Sequence, residues 1–345
     1  MEVTTMAVVE TREMKKNARV DSQIVMAGDI GSVYGGKIID SKMSLNEAIV
    51  EAGLDFEVAL ERIRIAKKVG GKVIPGYFVT YRTDTGDPLG VVKSRYVPMQ
   101  NRDAFRPFEA FIGNEACVES AGVLHGGRYT WMCLDLGSFD ILPGDTINKH
   151  LLIINSHDGS SNILAQLMPN RLACQNMLNF SFGAGGGSEP FKIRHTGSAL
   201  IKLEEARNVM SIAADGFKKV QEAFSLMKDT RCSQEDHNLI VRKSFGVTDE
   251  DMEKFLAGDY VKTPQWVGHA KEIDKVYEIG PGMDIPGVRG TVWGTFQAIT
   301  TYFDHFRHVR GSGNNPDTAI ESKLLGHAAE KKIAAFKACM DFCRN

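Results

Sequence analysis

The run INKHLLIINSHDGSSNILAQLM, Ile147 to Met168, holds two apolar segments parted by His157-Asp158-Gly159. Asp-Gly between apolar runs is a strong hairpin signal, because a type I′ turn needs positive φ at both central positions. Two similar runs precede it, divided from each other by Gly126-Gly127 and from the third run by Pro143-Gly144-Asp145. Four strands, at 117–124, 128–136, 147–156 and 161–168, are therefore predicted as an antiparallel meander.

Helical spacing surrounds this block. Ser44 followed by Leu45, Ala48, Ile49 and Ala52 reads as an N-capped amphipathic helix that Gly53 ends. Tyr77–Tyr81 and Gly90–Val92, around Thr85-Gly86-Asp87-Pro88, read as a hairpin, and Phe105, Phe108, Phe111 and Ile112 as a helix laid on it. Asn170 is a good N-cap, so a helix of about ten residues is expected to run to Phe180. After Ser198, Leu203, Ala206, Met210, Ala213, Phe217, Val220, Phe224 and Met227 alternate steps of three and four. That pattern is one long helix with a narrow apolar seam, suited to its own domain or to a second subunit. Residues 233–257 read as two short polar helices and 258–290, with Pro264, Pro281 and Pro286, as a loop-rich connection. Two helices close the chain, one with Val292, Phe296, Ile299, Phe303 and Phe306, the other with Ala329, Ile333, Phe336, Met340 and Cys343. The expected architecture is α+β, an antiparallel β-meander packed with helices and followed by long C-terminal helices. The expected parts are an N-terminal arm at 1–43, an α+β core at 44–198 and a mainly helical region at 199–345.

The 345 residues carry 41 Lys plus Arg against 43 Asp plus Glu, so a uniformly basic or acidic body is excluded. Hydrophobic content of 43% excludes bulk disorder. The longest aliphatic run, Leu151–Ile154, falls far short of a membrane span, and no secretory signal is read at the N-terminus. The six scattered cysteines suit reduced thiols in a cytoplasm. Cys339 and Cys343 lie one helical turn apart, but no second pair completes a ligand set, so neither a metal nor a cofactor is expected.

Three places offer chemistry. His157 and Asp158 follow an apolar strand and could form an acid/base site, although the turn alone explains Asp158 and Gly159. Cys174 near a helix start could be a nucleophile with His157 or His195 as base, or simply a packed thiol. Arg171, Gln175 and Asn179 would share one face of that helix. The loop Gly183–Gly187 leads to Lys192, Arg194 and His195 ahead of a helix start, a natural anion site or else a plain linker. No Gly-Lys-Ser/Thr follows it, which excludes a nucleotide-hydrolysing loop. Arg128, Tyr129 and Trp131 interleave cation and aromatic on one strand, as surfaces that stack single-stranded bases do. In Tyr302 to Arg310 the aromatics fall on the apolar stripe, leaving only Arg307, His308 and Arg310 as candidates.

Specific stretches recur in order: Glu51-Ala52-Gly53-Leu54-Asp55, Arg82-Thr83-Asp84-Thr85-Gly86, Leu89-Gly90-Val91-Val92 with Arg95-Tyr96, and Glu119-Ser120-Ala121-Gly122. Gly126-Gly127-Arg128, Asn155 to Ser160, Arg171 with Cys174-Gln175-Asn176, Arg194-His195-Thr196-Gly197 and Thr291-Val292-Trp293-Gly294 follow. With these the chain resembles domain-of-unknown-function family 932, an uncharacterised family of phages and plasmids, over roughly residues 40–340. Where that family tends to carry Trp-His-Gly, this chain has Asp29-Ile30-Gly31-Ser32-Val33. The resemblance implies a mobile-element setting and no established activity. By topology, a meander followed by a helix beside a basic loop is similar to the core of phage single-strand annealing proteins.

The expectation that results is a cytoplasmic, homo-oligomeric protein holding single-stranded nucleic acid for annealing, recombination or replication. Phosphates would meet Arg128, Arg171, Lys192, Arg194 and His195, bases would stack on Tyr129 or Trp131, and Gln175 would be a further nucleic-acid contact. Two rivals are an enzyme built on His157, Asp158, Cys174 and His195, and a counter-defence factor whose heptad helix docks a partner. The enzyme requires His157 and Cys174 to converge.

Overall fold

The computed structural model describes residues 37–40, 42–65, 71–113, 116–160, 163–174, 176–177, 191–193, 203–258, 263–313 and 315–345. The meander forms as expected. Strands β1 (Lys37–Ile38), β2 (Val58–Arg64), β3 (Val73–Arg82), β4 (Pro88–Lys93), β5 (Cys117–Leu124), β6 (Tyr129–Leu142), β7 (Asp145–Ser156), β8 (Ile163–Arg171), β9 (Asn176–Met177) and β10 (Phe191–Ile193) build two antiparallel sheets. The large sheet has the order β1-β5-β6-β7-β8-β10, with β9 also on β8, and the small one is β2-β3-β4.

The β6–β7 hairpin turns at Pro143-Gly144, where Gly144 takes φ 83°. Its strands pair from Tyr129 with Ser156 down to Leu142 with Asp145. Alternation along these strands separates two buried faces. Val118, Met132, Leu134, Leu151, Ile153, Ala165 and Leu167 lie on one. Trp131, Cys133, Leu152, Ile154, Leu164 and Met168 lie on the other.

Helices cover both. The first face receives α1 (Leu45–Glu51), capped by Ser44 and Glu47 in a capping box, α2 (Asn101–Phe105) with its 3₁₀ extension Arg106–Phe111, and half of α3 (Leu203–Asp229). Gly216 leaves α3 room to lie directly on Leu167. The remaining helices are α4 (Gln234–Ser244), α5 (Asp249–Ala257), α6 (Gln265–Ile279), α7 (Val292–Thr301) with a π turn Tyr302–Phe306, α8 (Pro316–Leu324) and α9 (His327–Arg344). Helix α8 sets Ile320 and Leu324 against the second face. It is pinned by the β5–β6 turn, where His125 donates its backbone N–H to Asp317 at 2.6 Å and meets Glu321 at 2.9 Å.

The seam of α3 is spent within its own chain. Val209, Met210, Ala213 and Phe217 enter the sheet core, and Val220, Ala223, Phe224 and Met227 join a helical core around Trp293, Phe296 and Phe336. The reading of that seam as a docking surface for a partner loses its basis.

Two expectations are corrected. Asn170 begins no helix: it and Arg171 are the end of β8, paired with Asn148 and Ile147, and a turn follows at 172–174. Ladder bonds and the burial of Arg171 override the local capping signal. Residues 258–290 are not all connection, for α6 lies there, with Pro264 as its N-cap and Pro281 just past its end. Those prolines punctuate a helix instead of preventing one. Strand β2 and helix α8 were not foreseen. Of the arm, 1–36 lies outside the described residues, and Lys37 and Ile38 pair with Ala121 and Ser120.

Candidate functional site

Several of the sequence motifs meet where the small sheet rests on the tip of the β7–β8 hairpin. Gly90 permits the approach, since a Cβ there would stand 2.5 Å from the Asp158 Cα, and Gly159, at φ 76°, faces Val92. Asp158 is the hub. One oxygen accepts from Ser156 Oγ at 2.7 Å and from the Ser160 backbone N–H at 2.8 Å, the other from Arg128 Nε at 2.5 Å and Tyr129 OH at 3.4 Å. Burial raises its pKa, but the bonds from Ser160, Ser156 and Arg128 outweigh burial and hold the carboxyl below the usual carboxylate range. Tyr96 donates to the Ser156 carbonyl at 3.1 Å, and burial beside Asp158 pushes its phenol upward. With its oxygens fully engaged, Asp158 braces the turn and is not poised as a base.

His157 lies beneath, fully buried. Its Nε2 is 2.8 Å from Asn101 Oδ1, which also receives Thr130 Oγ1 at 2.7 Å and Asn155 Nδ2 at 3.1 Å. Asn101 in turn donates to the Leu54 carbonyl at 2.9 Å. This network ties α1, α2, β6 and β7 together through polar groups that burial obliges to pair.

A second knot sits at the opposite end of β7 and β8. Arg171, 1% exposed, donates to both oxygens of Asp145 at 2.5 and 2.9 Å and to the Gly282 carbonyl at 3.0 Å. Trp293 Nε1 donates to the same carboxylate at 2.8 Å. Cys174 lies against Arg171 Nη1 and Gln297 Oε1, each at 3.7 Å, and Asn176 donates to Thr301 Oγ1 at 2.7 Å. Burial raises the Cys174 thiol, with Arg171 opposing it. The pairing of Ile147 with Arg171 puts His157 about ten residues along the ladder, roughly 30 Å away at strand rise. His157 and Cys174 therefore do not form one site.

The expected stacking surface is also inside. Tyr129 is 6% exposed and Trp131 1%, so neither offers a ring face to a base, and the buried Arg171 cannot reach a phosphate. Arg128 alone of these is at the surface, its side chain 46% exposed beside Asp158. Lys192 lies in β10 opposite Leu164; Gln175, Arg194, His195 and the glycine loop fall outside the described residues.

What sequence reasoning missed is the outer face of the small sheet. Directly paired residues share a face, so Tyr77 with Lys93, Val79 with Val91, and Tyr81 with Ala59 lie together, opposite the Gly90 face that meets Asp158. Tyr77 is 45% and Val91 61% exposed. Lys93, opposite Tyr77, and Glu61, opposite Val79, are on this face, whereas Arg62, opposite Phe78, and Arg82, opposite Val58, are on the other, Arg82 paired with Asp84. The signal was present in the Tyr77–Tyr81 run, whose two tyrosines fall on one face at period two. Among the described residues, the donors with metal-ligating chemistry that stand together are Glu119, Cys133 and His150, within the large sheet.

The model of the family described as a domain of unknown function, DUF932, matches residues 88–324. The chain belongs to DUF932. The matched DUF932 region runs from β4 through α8, so it includes the Asp158 turn and the Arg171 knot, while β2 and β3 precede it. No curated protein and no solved structure matches the chain. No helix among the described residues is long and apolar enough to cross a membrane.

Proposed function

We propose that this DUF932 protein binds single-stranded nucleic acid on the outer face of β2-β3-β4, as an oligomeric phage or plasmid factor in the host cytoplasm. The observation that carries the reading is the exposed ring of Tyr77 with Lys93 paired directly opposite it, and the half-buried Tyr81 farther along the same face. Exposed rings accept bases of any sequence, and neighbouring cations follow the backbone. Arg95, exposed two residues past β4, adds a cation just beyond the strand. The mobile-element setting rests on the family resemblance, and annealing rests on topology alone.

The test is fluorescence anisotropy of a labelled single strand of about 40 nucleotides at two salt concentrations, with duplex and RNA controls. Binding that prefers single strands and weakens with salt is expected. Absence of binding at low salt would overturn the proposal.

A further inference from the structure

Three neighbouring strands of the large sheet bring one carboxylate, one thiol and one imidazole to a single spot. Cys133 on β6 and His150 on β7 point to the face that carries Trp131 and Leu152, and both are fully buried. Glu119 reaches it through a bulge. Val118 pairs with Leu134 and Ser120 with Cys133, so β5 has one residue too many, and Glu119 is that residue. A bulge re-aims side chains. Here it turns Glu119 onto the face of its neighbour Ser120, with Oε2 3.8 Å from Cys133 Sγ and 2.9 Å from His150 Nε2.

Glu119 accepts from the Cys133 thiol and meets His150, yet the cluster leaves polar atoms without aligned partners. Neither ring nitrogen of His150 has an aligned hydrogen bond, close as Glu119 is, and Ser120 Oγ next to Cys133 has none. On the same face of β8, Gln166 Oε1 and Asn170 Oδ1, either side of Met168 opposite His150, also lack partners. A buried imidazole whose Nδ1 has no partner and whose Nε2 meets only a misaligned carboxylate is costly, and a cation would take a ring lone pair that no donor occupies.

We propose that Glu119, Cys133 and His150 form a three-ligand site for a divalent transition-metal ion of the zinc class. The ligand atoms all lie within 4.8 Å of one another. Tetrahedral zinc with ligands about 2.0–2.3 Å away holds its donors roughly 3.3–3.8 Å apart, so sub-ångström side-chain shifts suffice. The mixed sulfur, nitrogen and oxygen set selects a borderline-soft ion over magnesium or calcium, which take oxygen. Binding releases the Cys133 thiol proton to solvent, and His150 ligates through a ring nitrogen. Glu119, its side chain 27% exposed, gives the ion a path inward that the two fully buried ligands lack. Three protein ligands leave the fourth place to water or to a further donor, whereas structural sites supply all four from protein. The site is independent of the nucleic-acid reading, since it lies in the large sheet and not on the small one.

Cobalt titration of the full-length protein, read by visible absorption, tests this, with zinc content after dialysis as the second readout. One ion per chain and a thiolate-to-cobalt charge-transfer band are expected, lost in Cys133→Ser and kept in Cys117→Ser. If Cys133→Ser fails to fold, Glu119→Gln at the rim carries the test. It should weaken binding by more than the about 10–100-fold that removal of an outer-shell partner costs. A folded wild-type chain that shows no band, or a band that persists in a folded Cys133→Ser, would overturn the site and leave buried water as the partner of these groups.

Discussion

Replacing Arg171 with alanine should cost about 3–5 kcal/mol of folding stability without touching a ligand surface. The change removes both bonds to Asp145 and the one to the Gly282 carbonyl. Among the described residues, Asp145, 0% exposed, would then keep only Trp293 Nε1 as a side-chain donor. A carboxylate out of water with one donor is the expensive half of a broken ion pair, and the guanidinium leaves a void as well. At about 2–4 °C per kcal/mol for chains somewhat smaller than this one, the midpoint should fall by on the order of 10 °C. Urea unfolding followed by tryptophan fluorescence measures it, because Trp293 sits in the knot. Pairing Arg171→Gln with Asp145→Asn should recover part of the loss, giving a coupling energy of about 2 kcal/mol or more. Arg171→Ala that unfolds within about 1 kcal/mol of wild type, yet loses nucleic-acid binding, would refute the reasoning and return Arg171 to the phosphate role its charge first suggests.

Acid should weaken the protein through His305. Burial pushes it down to about 4, helped by Lys323 and Lys332 and opposed by Asp304 and the Cys174 backbone. The unfolded imidazole titrates near 6.5, so the unfolded chain binds the extra proton between these values. Stability is therefore full above about pH 6.5 and declines as the pH falls toward 4, by at most about 2 kcal/mol between pH 7 and 5. Urea curves at the two pH values should show a smaller decline in His305→Gln, and an equal decline would discount the group. Gly90→Ala should lift β4 from the hairpin tip, because its Cβ would meet Asp158 at 2.5 Å. A loss of about 1–3 kcal/mol, with faster amide exchange in β4, is expected, and unchanged exchange would show that the sheets do not rest on each other there.

The meander, the two hairpins and the long helix were legible because each rests on a local signal: alternation, a glycine with positive φ, or a repeated step of three and four. The side of a strand that meets solvent was not. Alternation distinguishes faces but does not say that both are covered, and here helices bury both faces of the large sheet. That is why Trp131 and Arg171, which read as surface residues, lie in the core, and why Tyr77, which read as ordinary strand, lies outside. The Asn170 helix failed because pairing with β7 and the Asp145 ion pair come from residues more than twenty positions away. The Glu119, Cys133 and His150 cluster has no spacing signature, since a bulge and two strand registers assemble it.

The most direct test of the nucleic-acid reading is ultraviolet cross-linking of a thymidine-rich single strand to the full-length protein, with the attachment site mapped by peptide mass spectrometry. Adducts at Tyr77 or Tyr81, reduced in Tyr77→Ala, are the expected result. Adducts confined to other segments, or none under conditions where binding is saturated, would contradict the assignment of the small sheet as the binding face.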